Sequence, residues 1–312
     1  MATLAYIEES VLALPSGWID AERFELARRR CGDALGRPFP VVIVRIAAGC
    51  RLMLDVVVRL LSFCNQVLFA AKRLRLEFLE GSDGAMGYLD RMGFFEGLRR
   101  DAEVTPRRPL LSGAALHRGG NSGLVEIHRF SGRARPDHAL PDKLARAVER
   151  GCSSRADGKQ AANAIASIIS ELINNVADHS KTPLDAFVAL QTYPNGNLVK
   201  LAVSDSGRGI MGTLRPALQL RGSPLTALSE TDLLIEIFRQ GLSSHDEDNR
   251  GMGLKNSARI AIRYGADLDV RLPNQRVLLK PSGNAYQSNM AYTQEHLPLL
   301  WGTHIAFSLK LS

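Results

Sequence analysis

Cysteine is scarce: Cys31, Cys50, Cys64 and Cys152 are the four in the chain, with no C-x-x-C pair and none beside a histidine at metal spacing. That excludes a disulfide scaffold and a zinc ribbon, and the thiols read as reduced and partly buried. No long apolar run is free of charge. The most apolar stretch, 52–71, carries Asp55, Arg59 and Asn65, which suits a buried helix and not a membrane span. The first residues, MATLAYIEESVLALPS, lack a basic leader, so no signal peptide is expected and the cytoplasm is the expected compartment. There is no G-x-x-x-x-G-K-[ST], and the Gly-rich HRGGNSG at 117–123 has no such lysine, which excludes a P-loop. No Ser-His-Asp constellation or receiver-like Asp cluster is visible. Basic residues outnumber acidic ones, with net charge +7 and pI near 9.4, but they form no Lys/Arg block and have no aromatics interleaved. A generally basic surface is the favoured reading. Nucleic acid is left open as a partner, not favoured.

What is present is ordinary globular material, 45% apolar and 23% charged, in 312 residues, a length that suits two domains. VVIVRIA at 41–47 reads as a buried strand, 51–72 as a long helix, and LRLEFLE at 74–80 as a second strand with alternating Leu74, Leu76 and Phe78. A turn and a short helix ending near Gly93 follow. The order β-α-β-α predicts a small α/β domain over 1–115. Residues 101–122, rich in Pro, Arg and Gly, read as linker, and 116–142 as a linker that includes the opening strand VEIHRF, 125–130. The second domain, 143–312, has helical patterns at 143–150, 158–178, 229–240 and 253–264. DAFVALQTY and LVKLAVSD form a hairpin around PNGN, and strands fall at 266–272, 276–280 and 303–311.

The helix at 158–178 raises the functional question. Ile165, Ile168, Ile169, Leu172, Ile173 and Val176 form one apolar stripe at i, i+3, i+4, i+7, i+8 and i+11. Glu171 and Asn175 stack one turn apart on a different face, with Asp178 close by and Asn174 at its edge. A solvated face would carry Lys, Arg and Glu, because short amides are poor helix formers. On the helix alone, a solvated face and a functional one remain equally open. Downstream, VSDSGRGI at 203–210 ends a strand with Asp205 and two glycines, Gly207 and Gly209. Such a turn lets backbone approach a ligand while a carboxylate hangs at the strand end. GMGL at 251–254 then sets Gly251 and Gly253 at a helix start, where free N–H groups suit phosphate.

Together these segments resemble the ATP-binding domain of the GHKL superfamily (DNA gyrase, heat-shock chaperone, histidine kinases, mismatch-repair ATPase), with its Bergerat fold. Glu171-x-x-x-Asn175 resembles the N box, Asp205-Ser206-Gly207-Arg208-Gly209 the G1 box, Gly251-Met252-Gly253-Leu254 the G2 box, 237–250 the ATP lid and WGTHIAFSLKL the last strand. The resemblance implies an α/β fold, a two-layer α+β sandwich on a mixed sheet, and Mg²⁺ and ATP as cofactors. It implies that Asn175 holds Mg²⁺, that Asp205 accepts from the adenine amine, and that Gly207, Gly209 and Ile210 line the base. Gly251, Met252, Gly253 and Leu254 would cradle phosphate, and Thr303 would join the adenine network. Asparagine suits that role as a neutral oxygen ligand, since Mg²⁺ needs few protein contacts beside phosphate and water. Glu171 takes the catalytic position, either activating water or orienting groups around a transferred phosphate.

No phosphoacceptor-type histidine helix precedes the ATPase portion, which disfavours an ordinary autophosphorylating histidine kinase. The N-terminal region resembles, more loosely, the STAS-like domains found with bacterial anti-sigma-type kinases. It departs from them in lacking a serine at the usual phosphorylated helix start, where Cys50 and Arg51 stand. The expectation is a Mg-ATP-binding protein that hydrolyses ATP or phosphorylates a protein partner in signalling, with lid closure coupling nucleotide state to partner contact. The partner would dock on the N-terminal module, and a homodimer is left open. A nucleotide-sensing module without turnover and an ATP-dependent nucleic-acid clamp are the alternatives.

Overall fold

Strand β3 (Val41–Ile46) is the centre of the N-terminal half. Its residues VVIVRI are buried except Arg45, as befits a strand covered on both faces. It pairs in parallel with β1 (Glu9–Leu14) and β5 (Arg73–Phe78), and β5 pairs in parallel with β6 (Glu103–Thr105), giving a four-stranded sheet in the order β1-β3-β5-β6. A small parallel pair, β2 (Gly17–Ile19) and β4 (Cys50–Leu52), flanks it. Helix α1 (Ala21–Cys31) starts on Asp20, whose side chain accepts from the Arg23 N–H. Helices α2 (Leu54–Phe69), α3 (Gly84–Arg91), α4 (Phe94–Gly97) and α5 (Gly113–His117) complete this half. The stretch 101–122, expected as linker, thus contains β6 and α5. A three-residue strand running into Pro106 is too short to leave a period-two trace. The computed structural model describes residues 9–310 except 118–119, 122, 132–138, 154, 194–196, 241, 243–251 and 289–292. The tip of the PNGN turn and most of the expected lid lie outside the described residues.

The C-terminal half is built on seven strands in the order β12-β11-β10-β13-β9-β8-β7. They are β7 (Leu124–Ser131), β8 (Asp185–Tyr193), β9 (Leu198–Ser204), β10 (Asp267–Leu272), β11 (Gln275–Ser282), β12 (Ala285–Ser288) and β13 (His304–Lys310). Every neighbouring pair is antiparallel, which corrects the expectation of a mixed sheet. The reason is β13. Strands β9 and β10 run the same way, joined by a long helical crossover, but β13 inserts between them and is antiparallel to both. One face carries α6 (Ala139–Gly151), α7 (Gly158–His179), α8 (Gly209–Leu220), α9 (Glu230–Gln240) and α10 (Met252–Arg263).

Period-two alternation divides the sheet between two cores. Val188 and Leu190 of β8, with Val199, Leu201 and Val203 of β9, face the helices. Phe187, Ala189 and Ala202 face the other way and join the N-terminal core around α2. Helix α2 is therefore buried along residues 54–68, lying between the two sheets. Among the described residues no helix is long and apolar enough to cross a membrane.

Candidate functional site

Helix α7 is held by its apolar stripe: Ile165, Ile168, Ile169, Leu172, Ile173 and Val176 are all buried against the sheet and neighbouring helices. That packing turns Glu171 and Asn175 to a half-buried face, where the Asn175 amide nitrogen donates to Glu171 Oε1 at 3.3 Å. The bond uses the nitrogen and leaves the amide oxygen as a hard ligand. Burial raises the Glu171 pKa; the Asn175 hydrogen bond opposes this and the nearby Asp178 charge adds to it. Asn174 is exposed.

Strand β9 delivers Asp205 into the interior, where it is 5% exposed. Its Oδ1 accepts from the Gly207 N–H at 2.7 Å and its Oδ2 from the Thr303 N–H at 3.0 Å. No basic side chain is paired with it among the described residues, so burial pushes its pKa up to about 6 despite those two donors. Each carboxylate oxygen keeps an unused lone pair, so the group remains an acceptor for a neutral donor.

Two glycines set the shape of this turn. A Cβ on Gly207 would lie 2.1 Å from the Ser180 carbonyl oxygen, so the turn lies directly against the end of α7. The Arg208 N–H also donates to that carbonyl, at 3.1 Å. Gly302 sits at φ 92°, and a Cβ there would lie 2.1 Å from the Asp205 carbonyl oxygen. Beside it the Thr303 hydroxyl accepts from the Ile210 N–H at 3.0 Å, tying the last strand to the start of α8. Gly209 opens that helix at φ 72°. The structure therefore assembles Asp205, Gly207, Gly209, Ile210 and Thr303 at one point and docks them on the helix that carries Glu171 and Asn175.

The third segment enters from α10. Its C-terminal end lies at the start of α7: the Arg155 guanidinium is 5.9 Å from the Tyr264 ring centre and is paired with Asp157 at 2.8 Å. The two helices pack side by side, hence antiparallel. Twelve residues span roughly 18 Å, so the first turn of α10 reaches toward the Glu171–Asn175 half of α7. Met252, Gly253 and Leu254 form that first turn. Gly251 lies outside the described residues, as do the side chains of Met252 and Leu254.

Sequence reasoning missed Ser180, whose carbonyl anchors the turn, and the pair Gln66 and Ser206. Gln66 belongs to α2, remote in sequence, and its Nε2 donates to Ser206 Oγ at 2.8 Å. A glutamine within an apolar helix carries no signal of its partner.

In comparison with known families, residues 160–312 fit the model described as histidine kinase-, DNA gyrase B-, and HSP90-like ATPase. No curated protein matches the chain. The residues present fit Mg-ATP. A buried carboxylate without a counter-ion suits the exocyclic amine of adenine. No group of three His, Cys, Asp or Glu among the described residues could hold a metal unaided, and a cation that takes most of its ligands from phosphate and water needs only Asn175.

Proposed function

Residues 160–312 form a histidine kinase-, DNA gyrase B- and HSP90-like ATPase domain, of the GHKL superfamily, and from that premise we propose that the chain is a Mg-ATP-dependent regulatory protein with phosphoryl chemistry at Glu171. The reading rests on one observation: a buried, unpaired carboxylate, Asp205, is fixed by two backbone N–H groups on a turn that abuts the helix bearing Glu171 and Asn175. Bound Mg-ATP supplies the anhydride and a cation to neutralise developing charge. Asp205 selects the base by accepting its amine hydrogen. Asn175 holds the cation through its amide oxygen. Glu171, whose pKa is raised by burial, is suited to take a proton from water or from an acceptor hydroxyl. The first N–H groups of α10 face phosphate. A protein partner docks on the N-terminal half.

Two measurements test this. Asn175→Ala should weaken Mg-ATP binding about 10- to 150-fold, the worth of one charge-assisted contact, with a much smaller effect in EDTA. Calorimetric titration reads both; equal Mg-ATP affinity in both proteins places the site elsewhere. Glu171→Gln should keep nucleotide binding and lower phosphate release or phosphotransfer by about 10²- to 10⁴-fold, the usual worth of a general base. Incubation of the wild-type protein with γ-labelled ATP, alone and with lysate, follows free phosphate and labelled protein. Binding with no turnover of either kind would reassign the chain as a nucleotide sensor.

A further inference from the structure

Helix α2 carries the most apolar run of the chain, yet Asp55, Arg59, Ser62 and Gln66 fall at i, i+4, i+7 and i+11, on one face. Every one of them bonds to the seven-stranded sheet or its connections. Asp55 Oδ1 accepts from Lys200 Nζ at 2.8 Å, Arg59 Nη2 donates to Asp269 Oδ1 at 2.7 Å, and the Ser62 and Ser204 hydroxyls share a bond of 2.7 Å. Gln66, last on the stripe and fully buried, makes three bonds. Its Oε1 accepts from the Trp301 N–H at 2.9 Å, and its Nε2 donates to the Trp301 carbonyl at 2.9 Å and to Ser206 Oγ at 2.8 Å.

Those partners flank the base-binding carboxylate. Ser206 follows Asp205, and Trp301 precedes the Gly302–Thr303 step whose Thr303 N–H holds Asp205. The two segments touch, with Gly302 against the Asp205 carbonyl. A primary amide offers two donors and an acceptor at one point, which a carboxylate or hydroxyl cannot do. A second link runs beside it. His304 Nε2 bonds the Trp301 carbonyl at 3.1 Å, and its Nδ1 bonds the Ser204 hydroxyl.

We propose that Gln66 is a positioning residue for the nucleotide: it clamps Trp301 to Ser206, holds the Asp205 carboxylate in register, and makes the N-terminal half a determinant of ATP affinity and purine preference. The inference rests on the ATP-binding reading above. Because coupling is reciprocal, nucleotide in turn tightens the seat of α2. The histidine link is insensitive to pH near neutrality. Burial, and then the charges of Arg59, Arg271 and Arg28, keep the His304 imidazole neutral.

The test uses the full chain with Mg-ATP and Mg-GTP. Gln66→Leu should lose about tenfold in ATP affinity, within the range of remote coupling, and should narrow the ATP-over-GTP ratio. Asp55→Asn, three turns away on the same face and bonded to Lys200, should hold both within about twofold. Wild-type affinity and ratio in folded Gln66→Leu, or an equal loss in Asp55→Asn, overturns the clamp. Should Gln66→Leu not fold, amide hydrogen exchange on the wild type decides: ATP should slow exchange in the last turn of α2 together with 205–210 and 301–303. An unchanged α2 overturns the proposal. A wild type that binds no ATP sinks the functional reading and this one together, whereas a wild type that binds ATP with Gln66→Leu unaffected sinks only the clamp.

Discussion

Asp205→Asn should cost the protein about 10- to 150-fold in affinity for ATP, because a hydrogen bond to a charged acceptor is worth roughly 1.5–3 kcal/mol. The amide also turns an N–H₂ toward one of the two backbone donors, Gly207 or Thr303, that the carboxylate now satisfies. Asp205→Ala orphans both donors and should lose stability as well as affinity. The wild type should show the same dependence through pH. Ionisation is what fits Asp205 to accept the amine, and burial raises its pKa to about 6. Affinity should therefore fall by up to tenfold per pH unit below about 6. Adenosine, which has no phosphate to titrate, is the ligand to use, and the Asn variant should be flat over the same range. A flat wild-type profile would remove Asp205 from the base site.

The unliganded protein should respond with the opposite sign. A carboxyl whose folded pKa is raised binds its proton more tightly when folded, so its contribution to stability is present at low pH. It is lost as pH rises from the ordinary carboxylate range to about 6. The cost at neutrality is roughly 3 kcal/mol. ATP, by giving the carboxylate a donor, should return part of it.

The second large effect lies between the halves. Asp269→Ala should destabilise the chain by about 3–5 kcal/mol, the usual result of removing one partner from a buried ionic group. Asp269 receives Arg59 at 2.7 Å through Oδ1 and Arg276 at 2.6 Å through Oδ2, and Arg59 and Arg276 are 2% and 6% exposed in their side chains. Arg59 Nη1 is already buried without a hydrogen-bond partner among the described residues. Removing the carboxylate leaves two guanidinium groups facing each other, close to a second buried set in which Arg271 and Arg28 share Glu25. Burial works against Asp269 ionising, but the two arginines overcome it and hold its pKa well below the usual range. Its stabilisation is therefore present above the ordinary carboxylate pKa and drains away as pH falls toward the depressed value, the reverse of Asp205. Urea midpoints at neutral pH measure the loss. The triple variant Arg59→Met, Asp269→Leu, Arg276→Met should recover much of it, since an apolar set carries no desolvation cost. A single variant within about 0.5 kcal/mol of wild type would show the pair to be solvated.

The nucleotide segments were legible because each is local. A helix stripe with short polar residues on its other face, a strand ending in Asp-Ser-Gly-Arg-Gly and a Gly-x-Gly helix start are fixed by backbone geometry within a few residues; the helix and the strand end stand where the pattern put them, and the third helix begins at Met252, with Gly251 outside the described residues. Other parts left no trace. Helix α1 hides its period because its buried face includes Glu25 and Arg28, which read as solvent residues until their partners are known. Strand β10, DLDVRL, alternates as a strand with one wet face should, yet Asp269 and Arg271 are both buried.

By itself the sequence determined the elements that carry a clear period and which residues could meet a nucleotide, because period, turn chemistry and capping act over neighbouring positions. Only the tertiary structure decided that β13 enters between β9 and β10, that α2 is shared by two sheets, and that Gln66 reaches the turn holding Asp205. Those outcomes depend on pairings remote in sequence, from Arg271 with His304 at the nearest to Gln66 with Trp301 at the farthest. A buried charge or amide is tolerable only where its distant partner arrives.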